Sequence, residues 1–203
     1  MRIPTELEAD ALAWDKQAGL LPAVIQDAVS MQVLMLGYMD RDALQATLDT
    51  GLVTFYSRSR QRLWVKGETS GNSLELVGIE ADCDGDTLLV RVHARGPTCH
   101  LGRDSCFPTA PASVLGQLDA LLATRERERP EGSYSTRLFD AGIRRIAQKV
   151  GEEGVETALA AVAEDDAALT GEAADLLFHL LVLLRARGLS LADVEAKLAD
   201  RRG

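Results

Sequence analysis

The sequence predicts a multidomain chain: a strand-rich α+β domain over residues 1–113, then an all-α helical bundle over residues 114–203. Three observations predict it. Before residue 107 the apolar residues come in short β-branched and aromatic runs punctuated by Gly-Asn and Asp-Gly pairs, the pattern of strands joined by turns. Beyond residue 113 apolar residues recur at helical spacing and the turn signals thin out. Between the two, Phe107-Pro108-Thr109-Ala110-Pro111-Ala112 carries two prolines that interrupt any regular element.

Element by element, Arg41–Thr50 reads as a helix with Asp40 as N-cap and Gly51 as terminator. Leu52–Ser57, Leu74–Ile79 and Leu88–Ala94 read as strands, with turns at Gly71-Asn72 and Asp84-Gly85. In the second half Val114, Leu115, Leu118, Leu121 and Leu122 share a helical face that runs into the charged stretch Arg125–Pro130. One long helix is predicted over Leu138–Glu164 and another over Glu172–Arg187, ended by Gly188. Ser190 with Asp193 reads as a capping box opening a last helix through Leu198.

Composition excludes some functions. The 203 residues carry 31 acids against 22 bases, a net charge of −9, and both halves are acidic. A nucleic-acid polymer is therefore not an expected partner, since nothing would neutralise its phosphates. No unbroken apolar run approaches the roughly 20 residues of a membrane span; Leu180–Leu184 is far too short. The start, Met1–Glu6, lacks the charged-then-apolar layout of an export signal. Three cysteines, an odd number, argue against a disulfide framework. A cytoplasmic protein without membrane association is expected.

All three cysteines, Cys83, Cys99 and Cys106, lie within one short stretch, spaced by 16 and 7 residues. This differs from the paired CxxC spacing of structural zinc sites. Three thiolates suit a zinc ion that keeps one coordination position open. The alternative is that they are small buried hydrophobes. Asp82, Asp84 and Asp86 interleave with Cys83, and if the segment is extended they share one side. Such carboxylates repel unless a cation such as Mg²⁺ or Ca²⁺ neutralises them; an acidic turn in water is the bland alternative.

Here a resemblance emerges. Val33–Met39, Thr54–Arg60, Leu63–Asn72, Asp82–Asp86 and Cys99-His100 through Ser105-Cys106-Phe107 together resemble the phosphoribosyl-AMP cyclohydrolase family over most of residues 20–107. The resemblance implies zinc on Cys83, Cys99 and Cys106, magnesium on Asp82, Asp84 and Asp86, and a homodimer whose zinc site takes ligands from both chains. Opening a purine ring between N1 and C6 needs hydroxide at neutral pH, which zinc supplies by lowering the pKa of its water toward roughly 7. His100 is the candidate proton carrier, against a structural hydrogen bond. Arg58, Arg60 and Lys66 are candidates for holding a ribose phosphate, against the reading of ordinary surface bases.

The second half carries Glu152, Glu153 and Glu156 on one predicted helix and Glu172 and Asp175 on the next, the latter amid Leu176–Leu184. Two such helices could set four carboxylates around one or two Mg²⁺ ions that grip a pyrophosphate. A solvated acidic stripe paired with Lys149 and Arg145 is the alternative. With Gly132–Phe139 and Ile146–Glu153, this half resembles phosphoribosyl-ATP pyrophosphatase, within the MazG-type all-α pyrophosphatases. The resemblance implies that Glu152, Glu153, Glu156, Glu172 and Asp175 bind metal. His179 reads as a satisfied interface residue.

The expected function is a bifunctional hydrolase of histidine biosynthesis, acting on small phosphoribosyl nucleotides with zinc and magnesium. Two rivals are a structural zinc module fused to a helical dimerisation domain, and a general nucleotide pyrophosphatase.

Overall fold

A computed structural model describes residues 9–201. The Met1–Glu6 segment, on which the expectation of no export signal rests, lies outside the described residues. The chain divides into two compact units, Met1–Ser113 and Val114–Gly203. The first holds every strand among the described residues and the second only helices, the two-domain architecture expected from the sequence.

Unit one opens with two 3-10 turns, Ala9–Ala11 and Trp14–Gln17, and continues with β1 (Leu21–Asp27), β2 (Val33–Met39), α1 (Arg41–Thr50), β3 (Thr54–Ser57), β4 (Arg62–Val65), β5 (Leu74–Ala81) and β6 (Leu88–Ala94). The main sheet runs β2-β1-β6-β5, with β1 and β6 parallel and both outer pairs antiparallel; β3 and β4 form a separate antiparallel pair. α1 forms where predicted. Asp40 accepts the Ala43 N–H at 2.7 Å, and Gly51, at φ +71°, turns its N–H to the Thr47 carbonyl.

Two predicted strands need trimming or extension. The Leu52–Ser57 strand begins at Thr54, Leu52 making only an isolated bridge to Glu75. The Leu74 strand runs on to Ala81. β1, β2 and β4 were not foreseen. β1 is an interior strand with Leu21, Ala23 and Ile25 fully buried, yet it contains Pro22. Its parallel pairing to β6 starts only at Ala23, so the proline withholds no N–H from that ladder.

Gly37 of β2 lies under the Phe55 ring of β3. A Cβ there would fall 2.3 Å from ring carbons, so glycine is what lets the β3–β4 pair close onto the sheet.

Unit two comprises α2 (Val114–Glu128), α3 (Tyr134–Ala141), α4 (Ile143–Ala163), α5 (Asp166–Ala186) and α6 (Leu191–Ala199) around Leu122, Leu138, Phe139, Ile146, Leu181 and Val182. The single helix predicted over Leu138–Glu164 is two. Gly142, at φ +82° and ψ 171°, stops α3 and restarts the chain as α4. α5 begins at Asp166 rather than Glu172, because Asp165 accepts the Ala168 N–H at 2.9 Å and caps it there. The capping box at Ser190 and Asp193 forms as predicted.

Among the described residues α5 is long and apolar enough, by length and composition, to cross a membrane. Averaging over a whole helix registers what a search for unbroken apolar runs does not. In this fold α5 packs against α4, α2 and α3, and it carries Glu172, Asp175 and the buried His179.

Asp119 of α2 is buried, its carboxylate paired through both oxygens with the Arg185 guanidinium of α5 and accepting the Leu191 N–H at the start of α6. One carboxylate thus ties three helices. Asp119→Ala strands a half-buried guanidinium and an amide, and is expected to cost about 3 kcal/mol. Thermal unfolding followed by far-UV circular dichroism measures the loss.

Candidate active sites

The loop after β6 builds the first site. Cys106 donates its N–H to Leu34 O at 2.7 Å and Ser105 Oγ donates to Val33 O at 2.7 Å, pinning the loop to β2. The Cys99 N–H reaches Arg103 O at 2.9 Å, closing a tight bend. Cys99 and Cys106 then line one cavity of about 750 Å³ with His100, Thr98, Arg60, Lys66 and Trp64. The lining also depends on Gly67, at φ +91°, where a Cβ would fall 2.5 Å from the Asn72 backbone.

The electrostatics of this cavity set its two thiols apart. Hydrogen bonding from the Leu101 backbone, helped by Arg103, holds the Cys99 thiol below its usual range, whereas burial and the Cys99 charge push Cys106 up. Burial lowers Lys66 although both thiols pull it the other way, and its ammonium donates to Asn72 O at 3.2 Å. The Thr98 hydroxyl, buried in this wall, has no hydrogen-bond partner among the described residues, an opening for a polar ligand.

Cys83 is elsewhere. It lies exposed on the turn joining β5 to β6 and is not in the cavity wall, so the predicted three-thiol set does not close within one chain. On the same turn Asp82, Asp84 and Asp86 bring ligand oxygens within 4.8 Å of one another. They do so by a turn instead of the extended alternation expected from the sequence. Asp82 Oδ1 accepts the N–H groups of Asp86 and Thr87 at 3.0 and 3.1 Å, and Gly85 adopts φ +71°.

A cation already faces these acids. Lys16 Nζ lies 2.5 Å from Asp84 and 3.2 Å from Asp86, and this pairing holds the Asp84 carboxyl below its usual range. Nothing in the local sequence announces Lys16, because its partners lie about 70 residues away.

Of the three expected phosphate-holding bases, Arg60 and Lys66 face the thiol cavity. Arg58 does not: it stacks on Tyr38, 3.8 Å from the ring centroid, in a separate cavity with Lys16 and Asp86.

In unit two Glu153, Glu156 and Glu172 converge, with ligand oxygens within 4.8 Å of one another. Asp175 lines the adjoining cavity of about 430 Å³ with Glu153, Lys149, His179, Tyr134 and Phe178. Glu152 turns away to Lys149 at 2.9 Å, Gln148 at 2.7 Å and Arg145 at 3.6 Å, so for this residue the paired acidic stripe is what forms. Lys149 also reaches the buried Glu153 at 2.7 Å.

His179 is satisfied inside the chain, Nε2 with the Tyr134 hydroxyl at 3.0 Å and Nδ1 with Asp175 O at 2.9 Å. Tyr134, to which the sequence alone assigns no role, opens α3 behind the Ser133 cap.

Two cavities, one with two thiols and one beside converging carboxylates, lie each in its own domain, so the chain carries two separate candidate sites. Residues 35–108 match the family model for phosphoribosyl-AMP cyclohydrolase and residues 115–202 that for phosphoribosyl-ATP pyrophosphohydrolase. The "Histidine biosynthesis bifunctional protein HisIE" of Xanthomonas campestris is 67% identical over 95% of this chain and 93% of its own length. Proteins of the same name from Shewanella oneidensis and Escherichia coli are 57% and 55% identical, each over 97% of this chain and over 94% and 98% of their own lengths. The chain belongs to this family of bifunctional histidine-biosynthesis enzymes. It is a cyclohydrolase and a pyrophosphohydrolase in one polypeptide, acting on small phosphoribosyl nucleotides.

The crowding in unit two has a measurable consequence. Burial, then the charges of Glu156, Glu153 and Asp175, raise the Glu172 carboxyl above its ordinary value. A raised folded-state value means that ionised Glu172 opposes folding: the penalty is absent at low pH and grows as pH rises through the raised value. Without divalent cations, Glu172→Gln is therefore expected to raise the unfolding midpoint at pH 7. The gain should vanish below about pH 4, near the ordinary glutamate value. Melts of both proteins across pH check it.

Proposed function

We propose that the two sites are metal centres used in sequence: unit two releases pyrophosphate from phosphoribosyl-ATP, and unit one opens the adenine ring of the phosphoribosyl-AMP that results. The convergence of Cys99 and Cys106 in one cavity with His100, Arg60 and Lys66 carries the reading for unit one. Zinc on these thiolates would supply hydroxide at neutral pH. His100 takes a proton from the attacking water as oxygen adds to C6 of the N6-protonated ring and returns it to N1 as the N1–C6 bond breaks, while the remaining hydroxyl proton leaves to solvent as the carboxamide C=O forms. Arg60 and Lys66 hold the substrate by phosphate.

Cys83 completes the thiolate set from a second copy of the chain. Its exposed position outside the cavity wall supports a site shared across a homodimer. In unit two, Val155, Leu159 and Val162 leave an apolar stripe on the outside of α4, which supports pairing there as well. Free thiols as ligands fit the reducing cytoplasm.

Asp82, Asp84 and Asp86 would hold magnesium in unit one; Glu153, Glu156, Glu172 and Asp175 would hold it in unit two, with Glu152 in reserve beside Lys149. Magnesium there would offset charge on the phosphates. The buried Glu153, held by Lys149, orients the attacking water.

Two measurements test this. Cys99→Ala is expected to abolish ring opening and leave pyrophosphate release intact, and Glu153→Gln to do the reverse with added phosphoribosyl-AMP still converted. Equal loss of both activities in a folded variant would refute independent sites. Secondly, Cys83→Ala and Cys99→Ala chains, each inactive in ring opening, are expected to regain about a quarter of the wild-type rate when unfolded and refolded together. Random pairing makes half the dimers mixed, each with one intact site. No recovery would overturn the shared site.

A further inference from the structure

Phosphoribosyl-AMP carries two phosphates, one on the AMP ribose and one on the added phosphoribosyl group, on opposite sides of the purine. A site that brings C6 to the thiol cavity must therefore meet negative charge at both ends. The turn between β3 and β4 divides two cavities. Ser57, Ser59 and Arg60 face the thiol cavity, and Arg58 faces a neighbour of about 590 Å³ lined also by Lys16, Gln17, Leu20, Tyr38 and Asp86.

Among the described residues no carboxylate pairs with Arg58, whereas Arg41, Arg62, Arg91 and Arg95 each have one. Its guanidinium carbon lies 3.8 Å from the Tyr38 ring centroid, a cation–π contact that occupies none of the N–H groups a phosphate could take in a bidentate pair.

We propose that this second cavity is a phosphate subsite, in which Arg58 and Lys16 hold one phosphate of phosphoribosyl-AMP while Arg60 and Lys66 hold the other. The assignment rests on the cyclohydrolase reading above. Lys16 reaches the cavity and at the same time neutralises Asp84 and Asp86. A divalent cation on the acidic turn would take over that task and release the ammonium to the phosphate. Asp86, common to the turn and the cavity, then no longer repels the ligand.

The test uses the full chain loaded with zinc and magnesium. KM for ring opening is measured with phosphoribosyl-AMP and with two analogues, each lacking one of its phosphates; Ki replaces KM where an analogue is not turned over. Arg58→Met and Arg60→Met are each expected to raise KM for the full substrate about ten- to a hundredfold. The Arg58→Met penalty should vanish with one analogue and the Arg60→Met penalty with the other. Penalties vanishing with the same analogue, or an unchanged KM in Arg58→Met, overturn the proposal.

Zinc retention and thermal unfolding followed by near-UV circular dichroism of the unit-one tryptophans report whether unit one of each variant is folded. Should Arg58→Met fail to fold, Arg58→Lys keeps the charge without the fork and should show a smaller penalty with the same phosphate dependence. Absence of ring opening in the parent protein would instead overturn the cyclohydrolase reading itself.

A binding readout covers Lys16. In Cys99→Ala with magnesium present, phosphoribosyl-AMP should slow acylation of Lys16 several-fold, read by peptide mass spectrometry against the exposed Lys197. Unchanged acylation removes Lys16 from the subsite.

Discussion

Carboxylates gathered within a few ångströms repel one another, and both domains set a cationic side chain against such a group. In the first, three aspartates share a hairpin turn and the ammonium of Lys16 stands against two of them. In the second, three glutamates from two helices converge and Lys149 holds the buried one. Two unrelated architectures, a mixed sheet and a helical bundle, arrive at the same local arrangement of clustered acids beside one long flexible base. Charge held at such distances is expensive without an opposite charge, and lysine provides one that is easily displaced, because its stem can move while its backbone stays fixed.

The thiol cavity follows a different logic. A thiolate needs donors more than it needs a counter-charge. The loop after β6 provides them by bending back on itself at Cys99 and fastening to β2 at Cys106. β2 in turn is held at its place in the sheet by pairing with β1 and by the Phe55 ring lying on Gly37. The chemistry of the cavity thus depends on a core contact between two residues that do not line it.

Local signals were legible in the sequence and non-local ones were not. The helix at Arg41–Thr50 announces itself through Asp40 and Gly51, and the last helix through Ser190 and Asp193, because each cap is a contact between residues three or four apart. β1 was hidden by Pro22, whose fitness for an interior strand depends on where the parallel ladder begins. The break at Gly142 was hidden because apolar spacing continues across it. In the sites, the residue types and their chain order pointed to metal chemistry. Their spatial grouping did not follow: Cys83 parts from Cys99 and Cys106, Arg58 parts from Arg60, and Glu152 parts from Glu153. Adjacent residues in a turn or helix point in different directions, so neighbourhood in sequence overstates neighbourhood in space.

The Ala13 N–H is bonded to the carbonyl of Gly85 at 2.8 Å, which moors the stretch bearing Lys16 directly to the hairpin it neutralises. The base is therefore no free counter-ion competing from solution. It is on a short leash, with its local concentration set by the geometry of the chain, so dilution has little purchase on its hold, although salt still screens so exposed a pair. A divalent cation delivered to the acids themselves would displace the ammonium and leave the backbone mooring in place.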